Sequence, residues 1–461
     1  MAENTVIMEN TLRKLLAEKK YTTLREILIT MNPSDVAAIF NEMEEDRLPL
    51  LYRLLPKELA ADTFVEMDQE AQELLIRGFS DSELKEVLDE LFVDDAVDII
   101  EEMPATVVKR ILSQADPEMR RSINEILRYP ESSAGSIMTT EYISFRPEMT
   151  VAEAITRIRR TGIDKETIYT GYVTKDRTLI GVVTVKDLLL CNDDDKHIKD
   201  VMIEKVIAVN THDDQEEVAQ MFSKYNFMAL PVVDAENRLV GIVTFDDAMD
   251  VMEEEATEDI EKMAAIIPSE KPYMSMSPFE IWKNRIPWLM LLMVSATFTG
   301  LIISRFESAL EKLVILTAFI PMLMDTAGNS GSQASVTIIR GLSLNEIEFK
   351  DILQIIWKEV RVAVLCGISL GIACFAKIFL VDYLIMGSFV GVSNPFLIIG
   401  VICITLSVTV LFAKIVGCTL PLFAKKLGFD PAVMASPFIT TIVDALSLLV
   451  YFGVASAFLP I

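Results

Sequence analysis

The chain has 461 residues and a formal net charge of −26, and about half of its residues are apolar. The charge is confined to the first part: residues 280–461 carry 11 Asp/Glu and 12 Lys/Arg, so 57 acids and 30 bases fall in residues 1–279. This acidic surface repels nucleic-acid phosphates, which excludes a nucleic-acid partner and favours a cationic one.

The first 132 residues are predicted to form an acidic, all-helical domain built from repeats. The stretches 44–67 and 80–103 align end to end, and both place apolar residues three and four positions apart, as amphipathic helices do. Repeated helical hairpins of this kind stack into a small superhelix. The sequence therefore predicts an α-superhelical N-terminal domain.

A second repeat occupies residues 133–250. The stretch "LIGVVTVKDLL" returns sixty residues later as "LVGIVTFDDAM", and each unit follows the order short strand, helix, strand, strand, helix. The pattern resembles a tandem pair of CBS domains, at 133–198 and 199–250, a regulatory α/β module that often pairs into a flat disc. Thr184 and Thr244 each precede an aspartate by three positions, which predicts a capping-box helix start in both units.

An acidic connecting segment at 251–278 leads to a predicted five-helix transmembrane domain at 279–461. Apolar runs long enough to span a bilayer lie near 286–304, 313–339, 362–381, 396–423 and 433–459. Eight flanking basic residues fall on one side, namely Lys283, Arg285, Arg340, Lys350, Lys358, Arg361, Lys425 and Lys426, against Arg305 and Lys312 on the other. Basic loops stay in the cytoplasm, so the acidic domains are predicted to be cytoplasmic and the C-terminus outside the plasma (inner) membrane.

One carboxylate, Asp444, stands in the middle of the last apolar run. On a helix it belongs to a polar stripe made of Pro437, Thr440, Thr441, Asp444, Ser447 and Tyr451. A charge at mid-membrane costs about 2.5–3.5 kcal/mol, so such a residue faces a cavity or a partner. The polar stripe favours a pore-lining cation ligand, and the alternative is a buried ion pair with Lys377 or Lys414.

The second apolar run contains the stretch "PMLMDTAGNSGSQAS" at 321–335. Pro321, Gly328 and Gly331 are predicted to interrupt the helix, and Asn329 and its polar neighbours supply oxygen atoms. Irregular backbone at membrane depth is tolerated where it lines a cavity or is buried in protein. A kinked packing helix is the alternative explanation.

This stretch and "FDPAVMASPFITTIVDALSLLVYF", which follow an acidic helical domain and a CBS pair, resemble the MgtE family of bacterial magnesium channels over nearly the whole chain. The resemblance implies a homodimer in the lipid bilayer, with a pore on its axis that imports Mg²⁺. It implies that Asp444 holds the ion and that the backbone at Thr440 borders it, and Thr441 and Asn329 complete the predicted pore site. No soft ligand lines the stripe, which independently favours a hard cation over copper or zinc.

In that family, cytosolic Mg²⁺ bound between the domains closes the pore. The residues that match this sensor are Asp62, Asp94 and Asp98 in the helical domain, Glu216, Asp247 and Asp250 in the second CBS unit, and Glu255, Glu258 and Asp259 in the connecting segment. Like charges brought together on closure repel each other unless divalent cations lie between them. Asn226 replaces one sensor acid of the family, and the resemblance assigns no role to Asp325, where other members often have a neutral residue.

The three sensor acids of the connecting segment share one helix face because they lie three and four residues apart. Like charges at this spacing weaken a helix, so a compensating cation is expected. Lys262 and Lys271 are the nearest basic residues in the sequence. Bound Mg²⁺, rather than either lysine, is the predicted partner.

The CBS resemblance also implies that ATP can bind, through Tyr169, Thr184, Lys186, Asp187 and Phe227. The sequence has no GxxxxGK[ST] phosphate loop and no HExxH motif, so neither an enzyme nor an ATP-driven pump is expected. An ion-coupled secondary transporter of Mg²⁺, Co²⁺ or another divalent cation, using the same membrane site, is the alternative to a channel.

Overall fold

The computed structural model describes residues 2–269, 271, 273–390, 392, 394–434 and 436–459. The chain divides into two compact units, Met1–Met252 and Glu253–Ile461. The predicted multidomain α and α/β architecture is confirmed: a helical domain and two small sheets make up the first unit, and long helices make up the second.

The helical domain at the start of the first unit consists of short helices joined by tight turns. These are α1 (Ala2–Ala17), α2 (Tyr21–Leu28), α3 (Pro33–Asn41), α4 (Leu48–Tyr52), α5 (Lys57–Val65), α6 (Gln69–Gly78), α7 (Asp81–Leu88), α8 (Val93–Glu102), α9 (Ala105–Gln114) and α10 (Pro117–Ile126). Helix α3 packs on α5, α5 on α7 and α7 on α9, so successive hairpins stack as the repeats predict. Local signals set the helix starts: the Asn32 side chain caps α3, and Ser80 and Glu83 form a capping box on α7.

Two three-stranded sheets follow, one in each CBS unit. Their elements are β1 (Ile143–Phe145), α11 (Val151–Thr161), β2 (Thr170–Lys175), β3 (Thr178–Thr184), α12 (Val185–Leu190), β4 (Val209–Asn210), α13 (Gln215–Tyr225), β5 (Ala229–Val233), β6 (Leu239–Thr244) and α14 (Phe245–Met263). In each sheet the first strand pairs parallel to the second, and the second pairs antiparallel to the third. The two units therefore repeat the same strand order, as their sequences predict.

The second unit contains the end of α14, a short helix and five long helices. They are α15 (Pro278–Arg305), α16 (Glu307–Lys312), α17 (Ile320–Ser343), α18 (Ile352–Lys377, extended by a π-helix at Ile378–Ile385), α19 (Pro395–Lys426) and α20 (Ser436–Phe458). Helix α17 packs against both α19 and α20, and α18 packs on α19. Within the described residues, four helical segments are long and apolar enough to cross a membrane: 278–305, 349–385, 395–426 and 431–458.

The remaining predicted span, 313–339, differs from the prediction in two ways. A separate 3₁₀ turn occupies Val314–Phe319, so α17 begins at Ile320. Its 24 residues extend about 36 Å, which is enough to cross a bilayer. It is nevertheless not among the four apolar segments, and its sequence is interrupted by Asp, Asn, Ser and Gln side chains.

The prediction that Pro321, Gly328 and Gly331 interrupt this helix is wrong. Pro321 stands in the first turn of α17, where a missing N–H leaves no hydrogen bond unmade, and both glycines lie in regular helix. The glycines allow neighbouring helices to approach instead. A Cβ on Gly331 would lie 3.1 Å from the carbonyl oxygen of Ala413 on α19, and a Cβ on Gly417 would overlap the carbonyl of Gly331.

Candidate cation sites

Asp444 lies on α20 at the place where this helix packs against α17. A Cβ built on Gly328 of α17 would lie 3.1 Å from Cγ2 of Thr440 and 3.7 Å from Oδ1 of Asp444. Because Gly328 has no side chain, the Asp444 carboxylate and the Thr440 side chain fit directly against the α17 backbone. The structure thus brings Asp444 and Thr440 together beside the segment that carries Asn329.

The hydroxyl groups of Thr440 and Thr441 both donate to the carbonyl oxygen of Pro437, at 2.9 and 3.0 Å. Their donors are therefore used within α20, while each hydroxyl oxygen keeps lone pairs that can accept hydrogen bonds or contact a cation. Neutral and charged oxygen atoms are the ligands that Mg²⁺ prefers. Thr440, Thr441 and Asp444, all half-buried, offer such atoms on one helix.

The alternative of a buried ion pair for Asp444 is not realised. Lys377 binds Asp382 at 2.8 Å, and Lys414 lies 3.7 Å from Glu359. In the part of the chain that the structure describes, the Asp444 side chain makes neither an ion pair nor a hydrogen bond. A carboxylate without a partner at membrane depth is costly, and this cost makes Asp444 a candidate functional residue.

The polar stripe on α20 is shorter than the sequence suggests. The ring of Tyr451 is completely buried, and its hydroxyl donates to the carbonyl oxygen of Leu316 at 3.0 Å. Ser447 is only 2% exposed. Both residues therefore stabilise the packing of α20, and the accessible part of the stripe ends at Asp444.

A second polar face lies on α17. Asp325, Asn329 and Gln333 follow one another at four-residue spacing, and all three side chains are exposed in the single chain. The other faces of α17 contact α19 and α20. The helix therefore turns a charged and amide-bearing surface away from its own unit.

Several carboxylates of the first unit meet where the helical domain adjoins the two CBS units. We call this group the acid cluster; it consists of Asp94 and Asp95 from the start of α8, Asp246 and Asp247 from the start of α14, and Glu141 and Glu166 from loops of the first CBS unit. Glu141 Oε2 accepts a hydrogen bond from the backbone N–H of Val93 at 3.2 Å and so caps α8. Asp94 is 7% exposed, and its Oδ1 has no hydrogen-bond partner among the described residues.

Burial and mutual repulsion raise the pKa values of Asp94, Asp95, Glu166 and Asp247. Burial, followed by the charge of Asp247, raises the pKa of Asp95 to about 7. Burial, with Asp95 and Asp247 next in size, raises the pKa of Glu166 to about 8. Burial, followed by the charge of Asp247, raises the pKa of Asp94 well above its usual range. Burial also raises the pKa of Asp247 to about 6, although the Thr244 hydroxyl donates a hydrogen bond to Asp247. Burial and neighbouring carboxylates thus oppose ionisation of these groups.

The acid cluster overlaps only partly with the predicted sensor. Asp94 and Asp247 belong to it, and Asp250 interacts electrostatically with Asp247. Sequence reasoning missed Asp95, Asp246, Glu141 and Glu166; the doubled acids at 94–95 and 246–247 were a usable signal, whereas the loop glutamates gave none. No group of three or more His, Cys, Asp or Glu side chains within the described ranges forms a ready-made metal site.

The other predicted sensor acids of the first unit lie in different surroundings. Asp62 has its pKa raised by burial and then by Glu58 of the same helix and Glu66 just after it. Glu216 accepts a hydrogen bond from Gln220 at 3.1 Å, and Asp98 also has a partner. Asn226 ends α13 in the left-handed conformation, with φ 55°, which asparagine tolerates better than most residues.

The connecting segment corrects one prediction. Its helical part is not a separate element but the end of α14, and Lys262 bridges Glu258 at 2.5 Å and Asp430 at 2.6 Å. The prediction that neither lysine compensates this acidic face is therefore wrong, because Lys262 pairs with Glu258. Asp259 accepts a hydrogen bond from the Ser343 hydroxyl of α17 at 3.2 Å. Burial, followed by the charge of Asp430, raises the pKa of Asp259. Glu255 also has an interaction partner.

Four of the five predicted nucleotide contacts lie together in the first CBS unit. Thr184 and Asp187 form the predicted capping box at the start of α12, and Lys186 lies exposed in the same turn. The carbonyl oxygen of Tyr169 accepts from Val185 N–H at 3.0 Å, and its ring is 63% exposed. Phe227 belongs to the second CBS unit, where its ring stacks on Tyr225 at 5.4 Å.

Comparison with known proteins covers the whole architecture. The family model described as MgtE intracellular N domain matches residues 31–132. The CBS domain model matches residues 134–191 and 198–254. The model described as Divalent cation transporter matches residues 320–454. The chain is 36% identical to the magnesium transporter MgtE of Thermus thermophilus, covering 96% of this chain and 97% of the relative. It is 33% identical to the Bacillus subtilis magnesium transporter MgtE, covering 96% of each.

Two solved structures resemble the soluble part. One is the cytosolic domain of the Mg²⁺ channel MgtE in complex with ATP, with TM-score 0.50 and 37% identity, covering 53% of this chain and 99% of that one. The other is the soluble part of a magnesium transporter, with TM-score 0.51 and 32% identity, covering 55% and 99%. With relatives above 30% identity over nearly the full length, the chain belongs to the MgtE family of magnesium transporters, with a CBS regulatory domain.

Proposed function

We propose that the protein is a magnesium channel in the plasma membrane that imports Mg²⁺ through a pore on a homodimer axis, with Asp444 as the ion-binding carboxylate. The observation that carries this proposal is the unpaired Asp444 carboxylate against Gly328, while Lys377 and Lys414 bind other acids. A relative described as a Mg²⁺ channel supports a channel over the alternative, an ion-coupled carrier.

The exposed polar face of α17 supports the homodimer. Asp325, Asn329 and Gln333 would meet lipid in a lone protomer, and a charged side chain there costs about 2.5–3.5 kcal/mol. A second copy would cover this face and supply a second Asp444. Mg²⁺ is commonly bound by one or two carboxylates while it keeps several waters, so a pair of Asp444 side chains suits it.

The acid cluster supports the proposal that cytosolic Mg²⁺ regulates the channel. It joins the helical domain to both CBS units, and ionisation of its six carboxylates pushes these domains apart. A divalent cation beside the unpaired Oδ1 of Asp94 would replace this repulsion with attraction. The proposed sensor therefore includes Asp95, Glu141, Glu166 and Asp246 besides Asp94 and Asp247.

Two further elements complete the proposed function. The excess of basic residues on one side of the spans supports a cytoplasmic N-terminus and an external C-terminus. The turn that carries Thr184, Lys186 and Asp187, with the exposed ring of Tyr169 beside it, supports ATP binding to the first CBS unit. The relative whose cytosolic domain was solved with ATP supports the same assignment.

The pore assignment is tested with purified protein in proteoliposomes and planar bilayers. Asp444→Asn keeps the size of the side chain and removes its charge, so Mg²⁺ uptake is expected to fall by at least about tenfold. Glu311→Gln, at an exposed position, is the matched control and should transport normally. Uptake by Asp444→Asn equal to that of the control would refute the assignment, and Mg²⁺ flux without resolvable unitary currents would favour the carrier.

The sensor assignment is tested by limited proteolysis. In the unmodified protein, Mg²⁺ is expected to slow cleavage within residues 1–252. The double variant Asp94→Asn/Asp247→Asn removes both repulsion and ion binding, so cleavage should become independent of Mg²⁺. Glu45→Gln, an exposed acid of the helical domain, is the control and should keep the full Mg²⁺ response. An undiminished response in the double variant would contradict the role of the cluster.

A further inference from the structure

Asp325 is a charged side chain on α17 that no structural interaction explains. It is exposed in the single chain, and it forms neither an ion pair nor a hydrogen bond with any residue that the structure describes. The three other acids of the membrane unit with comparable positions on long helices differ: Glu359 and Asp382 each face a lysine, and Asp444 lies against Gly328. Among the described residues of its own unit, none therefore pairs with the charge of Asp325.

The position of Asp325 relative to Asp444 follows from the helix. Gly328, whose missing side chain makes room for the Asp444 carboxylate, lies one helical turn after Asp325. The two carboxylates are close enough to repel each other. Bringing two unneutralised acids together at membrane depth is unfavourable unless water or a cation lies beside them.

The direction of α17 places Asp325 farther than the level of Asp444 from the end of α17 that contacts α14. The C-terminal residue of α17, Ser343, is bonded to Asp259 of α14, and α14 is the helix that leads from the CBS units. Asp325 lies near the other end, in the second turn of α17. An ion entering from outside would therefore reach the level of Asp325 before that of Asp444.

The neighbours of Asp325 suit a hydrated ion. Asn329 and Gln333 follow it along the same exposed face, and their amide groups can both donate to and accept from water. Mg²⁺ gives up its waters reluctantly, so an entry site that contacts the ion through those waters avoids the cost of dehydration. One carboxylate flanked by two amides offers such contacts.

We propose that Asp325 is an outer cation-binding residue of the same pathway, which captures hydrated Mg²⁺ from outside and passes it to Asp444. The inference rests on the proposed pore and adds to it a second carboxylate one turn further out. Two successive sites also favour conduction, because an ion arriving at the outer site repels the ion held at the inner one. Asp325 thus sets the external concentration at which the pathway fills.

The test measures Mg²⁺ uptake into proteoliposomes as a function of external Mg²⁺. Asp325→Asn is expected to raise the half-saturating concentration about tenfold, equivalent to about 1.4 kcal/mol, with a maximal rate within about twofold of the unmodified protein. Asp325→Glu should restore the original concentration. Hexaamminecobalt(III), which mimics hydrated Mg²⁺ but does not exchange its ligands, should block uptake about tenfold less effectively in Asp325→Asn and normally in Asp325→Glu.

The controls separate this proposal from the pore itself. Glu311→Gln removes an exposed charge from α16, the short helix that precedes α17 in the chain. It should change neither the half-saturating Mg²⁺ concentration nor the hexaamminecobalt(III) concentration that blocks uptake. The outer site would be refuted if Asp325→Asn left the half-saturating Mg²⁺ concentration unchanged. It would also be refuted if Asp325→Asn and Asp325→Glu lowered the maximal rate equally. Asp444→Asn is measured in parallel: normal uptake by that variant refutes the pore assignment, whereas its inactivity together with a normal Asp325→Asn refutes only the outer site. If Asp325→Asn fails to insert, Asp325→Ser removes the same charge and is judged by the same criteria.

Discussion

The crossing of α17 and α19 depends on two glycines, which makes Gly417→Ala a sharp test of the membrane unit. A Cβ at Gly417 would overlap the backbone carbonyl of Gly331, which cannot rotate away as a flexible side chain could. One of the two helices must therefore shift. Overpacking of this kind costs about 1–3 kcal/mol, whereas alanine's higher helix propensity returns only about 1 kcal/mol.

The same shift should reach the ion pathway. Gly331 lies one turn after Gly328 on α17, and Gly328 adjoins Thr440 and Asp444 of α20. Displacing α17 far enough to relieve this overlap would change the space beside the Asp444 carboxylate. We therefore expect Gly417→Ala both to lower the thermal stability of the purified protein and to reduce Mg²⁺ uptake.

Gly400→Ala is the matched control for this experiment. Gly400 belongs to the same helix, but a Cβ there would meet nothing within 4 Å. This variant gains the same helix propensity without a clash, so its stability should stay unchanged or rise, and its uptake should be normal. Thermal melts in detergent and uptake assays on both variants give the comparison. Equal stability and uptake for the two alanine variants would refute the packing argument.

Two further predictions concern charge. The acid cluster contains carboxyl groups whose pKa values are raised to about 6, 7 and 8 in the packed first unit. Their contribution to stability is fully present below the unfolded carboxyl pKa of about 4 and is lost as the pH rises to about 8, because the unfolded chain ionises first. Without Mg²⁺, proteolysis should therefore become faster as the pH rises across this range, and Mg²⁺ should suppress it; a rate independent of pH would contradict this reasoning. Lys262→Met should destabilise the end of α14 by about 1–2 kcal/mol, because it leaves Glu258 and Asp430 without their cation, and proteolysis at 253–266 should accelerate. Lys271→Met removes an exposed pairing with Glu280 and serves as its control; equal cleavage in both variants would argue against the bridge.

Features that depend on neighbours along the chain could be predicted from the sequence. The hairpin repeats, the doubled strand–helix–strand–strand–helix order and the capping box at Thr184 were all predictable, because periodicity and caps act within a few residues. The lone Asp444 was recognisable for a similar reason. A charge within an apolar run is costly wherever the run lies in the membrane, so the sequence alone indicates a functional residue there.

The tertiary structure determines which charges meet. In the structure Lys377 pairs with Asp382 and Lys414 pairs with Glu359. Neither lysine pairs with Asp444, although the sequence allowed both pairings. The structure uses the α17 glycines for close helix crossings rather than for a break. The acid cluster likewise draws its members from residues 94–95, 141, 166 and 246–247, which are far apart in the chain. Side-chain partners of this kind are set by how whole elements pack, and packing depends on the shapes of distant surfaces that no local pattern encodes.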